Sequence, residues 1–319
     1  MSHGATRDLD RLLRGALLRD EETEETERDI KRASEALTNV WLLLKDKNLD
    51  CKDCVCEWKR VVQSALSDDF SLLVKADCID KRIAVDLVAS WLIYFPLCRW
   101  IIEVCRQRMT EGCRTLVGVG GSAAAGKTTL CCVLRAFLNC MFVDCLECEV
   151  VGMDAFHLRN ESLVRMGLRH LKGRPNTFDV ESLAKAAIQL KSLHNSPVTL
   201  PVYDRNLHNP RSNGVTIDNH CPVVLIEGLF VLCNEAGFEA VWSQLDCKIF
   251  LQISHELCER RSVERKATGN RIIKEEALVH FHTVDEPNFY LIEESSKGTD
   301  VVLEIGECYE ITSAKVTFM

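Results

Sequence analysis

Hydrophobic positions follow two different rhythms along this chain. From Ile30 to Leu44 the apolar residues Ile30, Ala33, Ala36, Leu37, Val40, Trp41 and Leu44 return every three or four positions, the spacing of one helical face. From Ala84 to Met109 the sequence is more apolar and aromatic, with Pro96 inside it, which predicts two helices or one kinked helix. Its Trp91, Tyr94, Phe95 and Trp100 are suited to packing on a neighbouring domain, with a pocket wall as the alternative. Beyond residue 112 short β-branched runs take over, at Thr115–Gly120, Glu149–Met153, Val198–Val202, Pro222–Ile226, Cys247–Gln252 and Asp300–Glu304. Helical patterns such as Thr128–Leu138 and Val180–Leu193 lie between them. Strands alternating with helices predict a parallel sheet flanked by helices on both faces. The expected organisation is α/β, with residues 1–112 as an N-terminal all-α region and 113–319 as the sheet domain. No internal repeat is evident.

Composition narrows the picture. The chain has 319 residues, enough for two domains, and its 47% apolar and 27% charged residues are those of a globular protein. Lys plus Arg number 39 against 47 Asp plus Glu; the resulting net charge of −8 disfavours general nucleic-acid binding. The acidic run Asp20–Asp29 reads as a solvated helix face, with a partner-binding tail as the alternative. The uncharged apolar stretch Leu87–Cys98 falls short of the roughly twenty residues that cross a bilayer, so no membrane span is expected. The opening MSHGATRDLDRLL lacks the apolar core of a signal peptide, and a cytoplasmic location is the expectation. Seventeen cysteines in that setting read as reduced, mostly buried thiols. The alternative is a four-thiolate zinc site from Cys51-x2-Cys54 and Cys145-x2-Cys148.

The chemistry concentrates first in Gly121-Ser122-Ala123-Ala124-Ala125-Gly126-Lys127-Thr128, which fits G-x-x-x-x-G-K-[ST]. The apolar run Thr115–Val119 precedes it and the helix-forming run Thr129–Leu138 follows, the strand–loop–helix setting of a phosphate-binding P-loop. Glycine lets backbone wrap closely around phosphate, with N–H groups and the helix N-terminus facing the anion. Gly121 to Thr129 form the expected nucleotide cradle, with Lys127 on the β- and γ-phosphates and the Thr128 hydroxyl on Mg²⁺. No guanine-selecting N-K-x-D segment accompanies it. A second apolar strand ends in Glu227, placed to hold Mg²⁺ through water or to polarise one. Alanine resists positive φ, so the loop is expected to avoid that conformation at Ala123, Ala124 and Ala125.

Further residues then arrive in a telling order. Asp154-Ala155-Phe156-His157 follows the second strand, then Arg169, Lys172-Gly173-Arg174-Pro175 and Thr177-Phe178-Asp179. Pro201-Val202-Tyr203-Asp204-Arg205 comes next with His208 and Pro210, then Glu227-Gly228 and Asp285-Glu286-Pro287-Asn288. In this order and spacing they resemble the phosphoribulokinase/uridine kinase branch of P-loop kinases, over about residues 113–305. The likeness is greatest to its uncharacterised and sugar-kinase-like members, with a loop similar to that of bacterial-type pantothenate kinase. The N-terminal helices lie outside the resemblance.

The resemblance implies a P-loop NTPase fold, ATP and Mg²⁺ as cofactors, and roles for particular residues. Asp154, at the sheet edge where doubly wound folds bind ligands, matches the family's general base; a helix N-cap is the alternative. His157 either hydrogen-bonds the acceptor or packs. Arg169, Lys172 and Arg174 form a basic cluster for an anionic substrate or product, or else a solvated turn. Tyr203, Asp204, Arg205 and His208 line the acceptor pocket, with Asp204 and Arg205 on the substrate or on each other. Arg261 and Arg265 share a helical face in a lid near 256–270 that closes over ATP, against the alternative of a charged helix neutralised by Glu259 and Glu264. Thr299–Leu303 would be the last strand.

The expected function is an ATP- and Mg²⁺-dependent kinase transferring the γ-phosphate to a hydroxyl of a sugar, nucleoside or pantothenate-like metabolite. The alternative is a nucleotide-gated interaction protein, its N-terminal helices binding a protein partner or a second copy and its P-loop domain acting as the switch. An intact Asp154 argues against the switch, which needs no acceptor base.

Overall fold

The computed structural model describes residues 3–18, 29–30, 51–76, 79–142, 146–192, 197–269 and 272–317. All of the helix expected over Ile30–Leu44 except Ile30 itself, most of the acidic run and Cys145 of the zinc alternative lie outside those residues.

Ten strands are described: β1 Ser71–Ala76, β2 Ile79–Ala84, β3 Thr115–Gly121, β4 Cys148–Gly152, β5 Val198–Asp204, β6 Asn209–Ile217, β7 Val223–Glu227, β8 Cys247–Gln252, β9 Val301–Ile305 and β10 Ile311–Val316. The central sheet has the order β10-β9-β8-β3-β7-β4, parallel throughout except for β10, which pairs antiparallel with β9 at the edge. Each central strand is buried on both faces, and period-two alternation sorts its side chains. Val117, Val119, Val223, Leu225, Ile249 and Leu303 enter one hydrophobic cluster, while Leu116, Val224, Ile226, Phe250 and Val302 enter the other. The first is covered by the helix Lys127–Met141 through Leu130, Leu134 and Phe137, the second by Val180–Lys191 through Leu183, Ala187 and Leu190.

Two runs behave differently from expectation. Val198–Val202 is not a strand of the central sheet: β5 pairs antiparallel with β6 in a separate hairpin, with a register shift between Leu200 and Val202, beside Pro201. Proline cannot donate to a ladder and is tolerated at such irregularities. Thr299–Leu303 is followed by another strand, β10, so β9 is not the last.

The N-terminal region packs on the first face of the sheet. Helix His3–Leu18 buries Leu9, Leu13, Ala16 and Leu17, and helix Cys51–Ala65 buries Cys54, Val55, Trp58, Val61 and Val62, each at helical spacing. Both sets join the cluster that contains Val117 and Phe137, so the hydrophobic core is continuous across residue 112. The hairpin β1–β2 adds strands to a region whose periodicity announces only helices. Each strand is six residues and Leu73 is exposed, too short and too mixed a run to stand out as a strand.

Leu87–Thr110 is one continuous helical run of 24 residues, neither broken nor split at Pro96. A wide turn over Ser90–Tyr94, where the Phe95 N–H reaches back to Ser90 O, lies just ahead of the proline and accommodates its missing N–H. This helix is long and apolar enough to cross a membrane by composition, yet 67% of its most apolar window is buried inside the protein. Its aromatic residues pack: Trp91 stacks on Phe95 at 6.0 Å, meets Trp58 edge-on at 5.6 Å, and Tyr94 meets Phe137 of the P-loop helix edge-on at 6.2 Å.

Arg114, just before β3, is 1% exposed and binds three segments together. Its guanidinium donates to the carbonyls of Cys221 and Leu190 (both 2.5 Å) and Asp218 (2.7 Å). Burial lowers its pKa, and Cys221 and Asp218 oppose that shift.

Candidate active site

The phosphate cradle forms where β3 runs out. Gly121 has φ +145°, and a Cβ there would stand 2.5 Å from the backbone oxygen of Leu251 on β8. Gly126, at φ +100°, caps the helix Lys127–Met141. Ala124 stands at φ +58°, against the expectation that the alanines avoid the left-handed region. The loop must curl before Gly126, and Ala123 and Ala125 are locked into the core on either side, which outweighs a cost of about 1–2 kcal/mol for an L-residue there. Lys127 folds over the loop, its Nζ donating to Gly121 O at 2.9 Å and Ser122 O at 2.8 Å. Burial lowers its pKa; Glu227 and Asp154 oppose that shift and Arg265 reinforces it, so all three charges converge on one ammonium.

Thr128 Oγ1 donates to Glu227 Oε1 at 3.0 Å across the start of the helix. A hydroxyl and a carboxylate side by side at a phosphate cradle are hard oxygen donors of the kind Mg²⁺ prefers, and the pair fits that ion.

Asp154 stands opposite, in the short turn Met153–Phe156 that follows β4. Gly152, not Asp154, occupies the cap position, and no side-chain capping bond is made there. The carboxylate is 40% exposed, with Oδ2 3.9 Å from Arg205 Nη2 and Oδ1 3.8 Å from His157 Nδ1. The imidazole of His157 is mostly buried between Phe178 and Tyr203, at centroid distances of 3.9 and 5.4 Å. Its Nδ1 lies 2.9 Å from Asp154 O, and burial pushes its pKa down, with Asp154 opposing. A neutral ring donating from Nδ1 to that carbonyl is the arrangement this geometry favours.

The hairpin β5–β6 packs against the Asp154 turn and brings the other residues expected to line an acceptor pocket to it. Lys172 Nζ donates to His208 O at 2.6 Å and Asn160 Oδ1 at 2.8 Å, and lies 5.2 Å from the Tyr203 ring centroid. Burial first, then Arg169, pushes its pKa down to about 8. His208, at φ +47°, contributes its carbonyl here, its side chain being exposed. Asp204 Oδ1 accepts from the backbone of Asn206 and Leu207, so that carboxylate holds the hairpin turn while Arg205 faces Asp154. Arg169 is exposed, and Arg174 donates to Asn288 Oδ1 at 3.3 Å.

The two arginines expected on a lid diverge. On the helix His255–Gly269, Arg261 is 5% exposed and donates to Gly306 O at 2.5 Å and Glu307 O at 3.2 Å, its guanidinium 3.6 Å from the Tyr309 ring centroid. Arg265 is exposed, and its charge reaches Lys127. Tyr309 belongs to none of the sequence motifs; it is 56% exposed, at φ +66° in the β9–β10 turn, and a Cβ on Gly126 would lie 3.8 Å from its ring. Nothing in the local pattern marks it.

A parallel sheet around a strand–P-loop–helix unit, with a carboxylate facing the phosphate lysine, defines a P-loop kinase. The sequence model of the phosphoribulokinase / uridine kinase family matches residues 116–312, more than half of the chain, and the chain belongs to that family. It is 27% identical over 194 residues to the uncharacterized protein YggC of Escherichia coli, covering 61% of this chain and 79% of that one. It is 30% identical over 195 residues to a pantothenate kinase of Yersinia enterocolitica, covering 55% of this chain and only 60% of that relative. Among solved structures, a candidate fructose transport system kinase from Silicibacter superposes with a TM-score of 0.51 at 29% identity, covering 61% of this chain and 94% of that one.

Proposed function

We propose that the protein transfers the γ-phosphate of ATP, with Mg²⁺, to a hydroxyl of a small metabolite of the sugar, nucleoside or pantothenate-like kind. The observation that carries this reading is Asp154, a part-exposed carboxylate outside the cap position whose charge reaches the phosphate lysine. In this reading Asp154 takes the proton of the acceptor hydroxyl as the oxygen attacks. Lys127 leaves the carbonyls of Gly121 and Ser122 for the phosphate oxygens, and Arg265 adds charge from the lid. Thr128 and Glu227 would hold Mg²⁺, which when bound neutralises charge on the phosphates. Arg261 positions the β9–β10 turn rather than touching phosphate.

The alternative of a nucleotide-gated switch gives Asp154 no task, and the apolar faces of the described N-terminal helices are turned into the core. The test is ADP release from Mg-ATP against pooled sugars, nucleosides, pantothenate and glycerate. Stimulation by one pool, reduced about 10²- to 10⁴-fold in Asp154→Asn, is the expected result. A slow rate, independent of any pool and equal in both proteins, would replace the kinase with the switch.

A further inference from the structure

The kinase reading leaves the chemical class of the acceptor open, and the charge around Asp154 narrows it. The chain carries a net −8, yet three cations, Lys172, Arg205 and Arg169, gather on the hairpin side of the site. Lys172 and Arg205 both act on His157, Arg169 acts on Lys172, and Asp154 and Glu161 are the carboxylates that oppose them at Lys172. These cations belong to a different group from the one on the phosphate side, where Arg265 is the cation that most depresses Lys127.

The geometry of Lys172 is that of a prepared binding group. Its ammonium has three protons, and two are directed to neutral acceptors, the carbonyl of His208 and the amide oxygen of Asn160. Those bonds fix the nitrogen without neutralising it, and the Tyr203 ring closes one side. Arg205 forms an ion pair with Asp154, its Nη2 3.9 Å from Oδ2. Holding a half-buried ammonium under the charge of Arg169 is unfavourable alone, and an anion placed beside it relieves that. A neutral polyol gives no such relief.

We propose that the acceptor carries an oxyanion, a carboxylate or a phosphate, near its reacting hydroxyl, and that Lys172 together with Arg205 and Arg169 recognises it. This rests on the kinase reading for the position of the hydroxyl at Asp154. The oxyanion sits on the hairpin side, with Lys172 supplying its third proton and the guanidinium groups supplying charge.

Matched pairs that differ in the anionic group provide the test: glycerate against glycerol, pantothenate against panthenol, and ribose 5-phosphate against ribose. Each is titrated calorimetrically into the full chain saturated with Mg and a non-hydrolysable ATP analogue, so that the phosphate cradle is already filled. The expected result is that the anionic member of at least one pair binds about 10- to 100-fold tighter than its neutral partner. Lys172→Gln should remove most of that advantage and Lys172→Arg should keep most of it, with thermal melting of both variants checking that they fold. The pair that responds tells carboxylate from phosphate. Equal binding of neutral and anionic members, binding by no member of any pair, or an anion preference untouched in Lys172→Gln would overturn the proposal. ADP release with the same pairs is scored separately: anion binding without acceptor-dependent turnover would sink the kinase reading and leave the oxyanion site standing.

Discussion

Two glycines of β3 form a matched pair in which the atom met by an added methyl decides the outcome. A Cβ at Gly121 would stand 2.5 Å from the backbone oxygen of Leu251, and one at Gly118 would stand 2.5 Å from Cδ1 of Leu245. Ordinary contact begins near 3.4 Å, so each substitution needs a displacement of about 0.9 Å. At Gly118 the movable atoms are the ends of Leu245 and Leu232, and Gly118→Ala should cost about 1–3 kcal/mol as ordinary overpacking. At Gly121 the obstacle is backbone in the β3–β8 ladder, where Gly121 is the register partner of Leu251. The φ of +145° adds about 1–3 kcal/mol of strain to a similar packing cost, so Gly121→Ala should lose about 2–6 kcal/mol. The same displacement carries Ser122 and the phosphate cradle with it. A shift near 1 Å costs about 100-fold in a reaction that depends on positioning, so kcat/KM for ATP should fall by that factor. Urea unfolding gives the first quantity and ADP release at saturating acceptor gives the second. Gly118→Ala, three residues upstream, should lose stability while keeping kcat/KM for ATP within a few-fold of wild type. If the two variants lose stability equally and both keep their ATP kinetics, the argument from backbone clearance is wrong.

Two other predictions rest on separate features. Arg114→Met strands the carbonyls of Cys221, Leu190 and Asp218, each at about 1–3 kcal/mol, and should lower stability by at least about 3 kcal/mol in urea unfolding. A loss below about 1 kcal/mol would mean water replaces the guanidinium without difficulty. The KM for an oxyanionic acceptor should depend on pH through Lys172, which faces Arg169, Asp154 and Glu161 and whose pKa burial pushes down to about 8. A depressed pKa means the charge is present below pH 8 and lost above it, so KM should be flat at lower pH and rise about tenfold per unit at higher pH. Lys172→Arg stays charged throughout and should abolish the rise; a rise that persists in that variant would assign it to another group.

The parts of the molecule that were legible in the sequence are those whose physics is local. Thr115–Val119, the octet and the following helix are consecutive, so a strand pattern, a glycine pattern and a helical pattern read one after another give the cradle its context. Ala124 shows the limit of that reasoning. A residue-by-residue preference against positive φ is worth about 1–2 kcal/mol, less than the packing that fixes Ala123 and Ala125 on either side. The residues expected to line an acceptor pocket were named by the sequence as a set, without the shape that brings them together. Residues 154–157, Lys172 and 203–208 meet because the β5–β6 hairpin folds against the turn after β4. β6 reads Asn-Pro-Arg-Ser-Asn-Gly-Val-Thr-Ile and buries only its last residue, so no alternating hydrophobic pattern betrays it. The lid arginines fail in another way. A four-residue spacing puts Arg261 and Arg265 on one helical face, but it cannot say what that face meets along its length. One turn of the helix abuts Tyr309 and the β9–β10 turn, which the pattern did not foresee, and the next is open toward Lys127. Of the two, Arg265 is therefore the side chain to substitute when the lid's effect on phosphoryl transfer is measured, and Arg261 the one to substitute when its anchoring is in question.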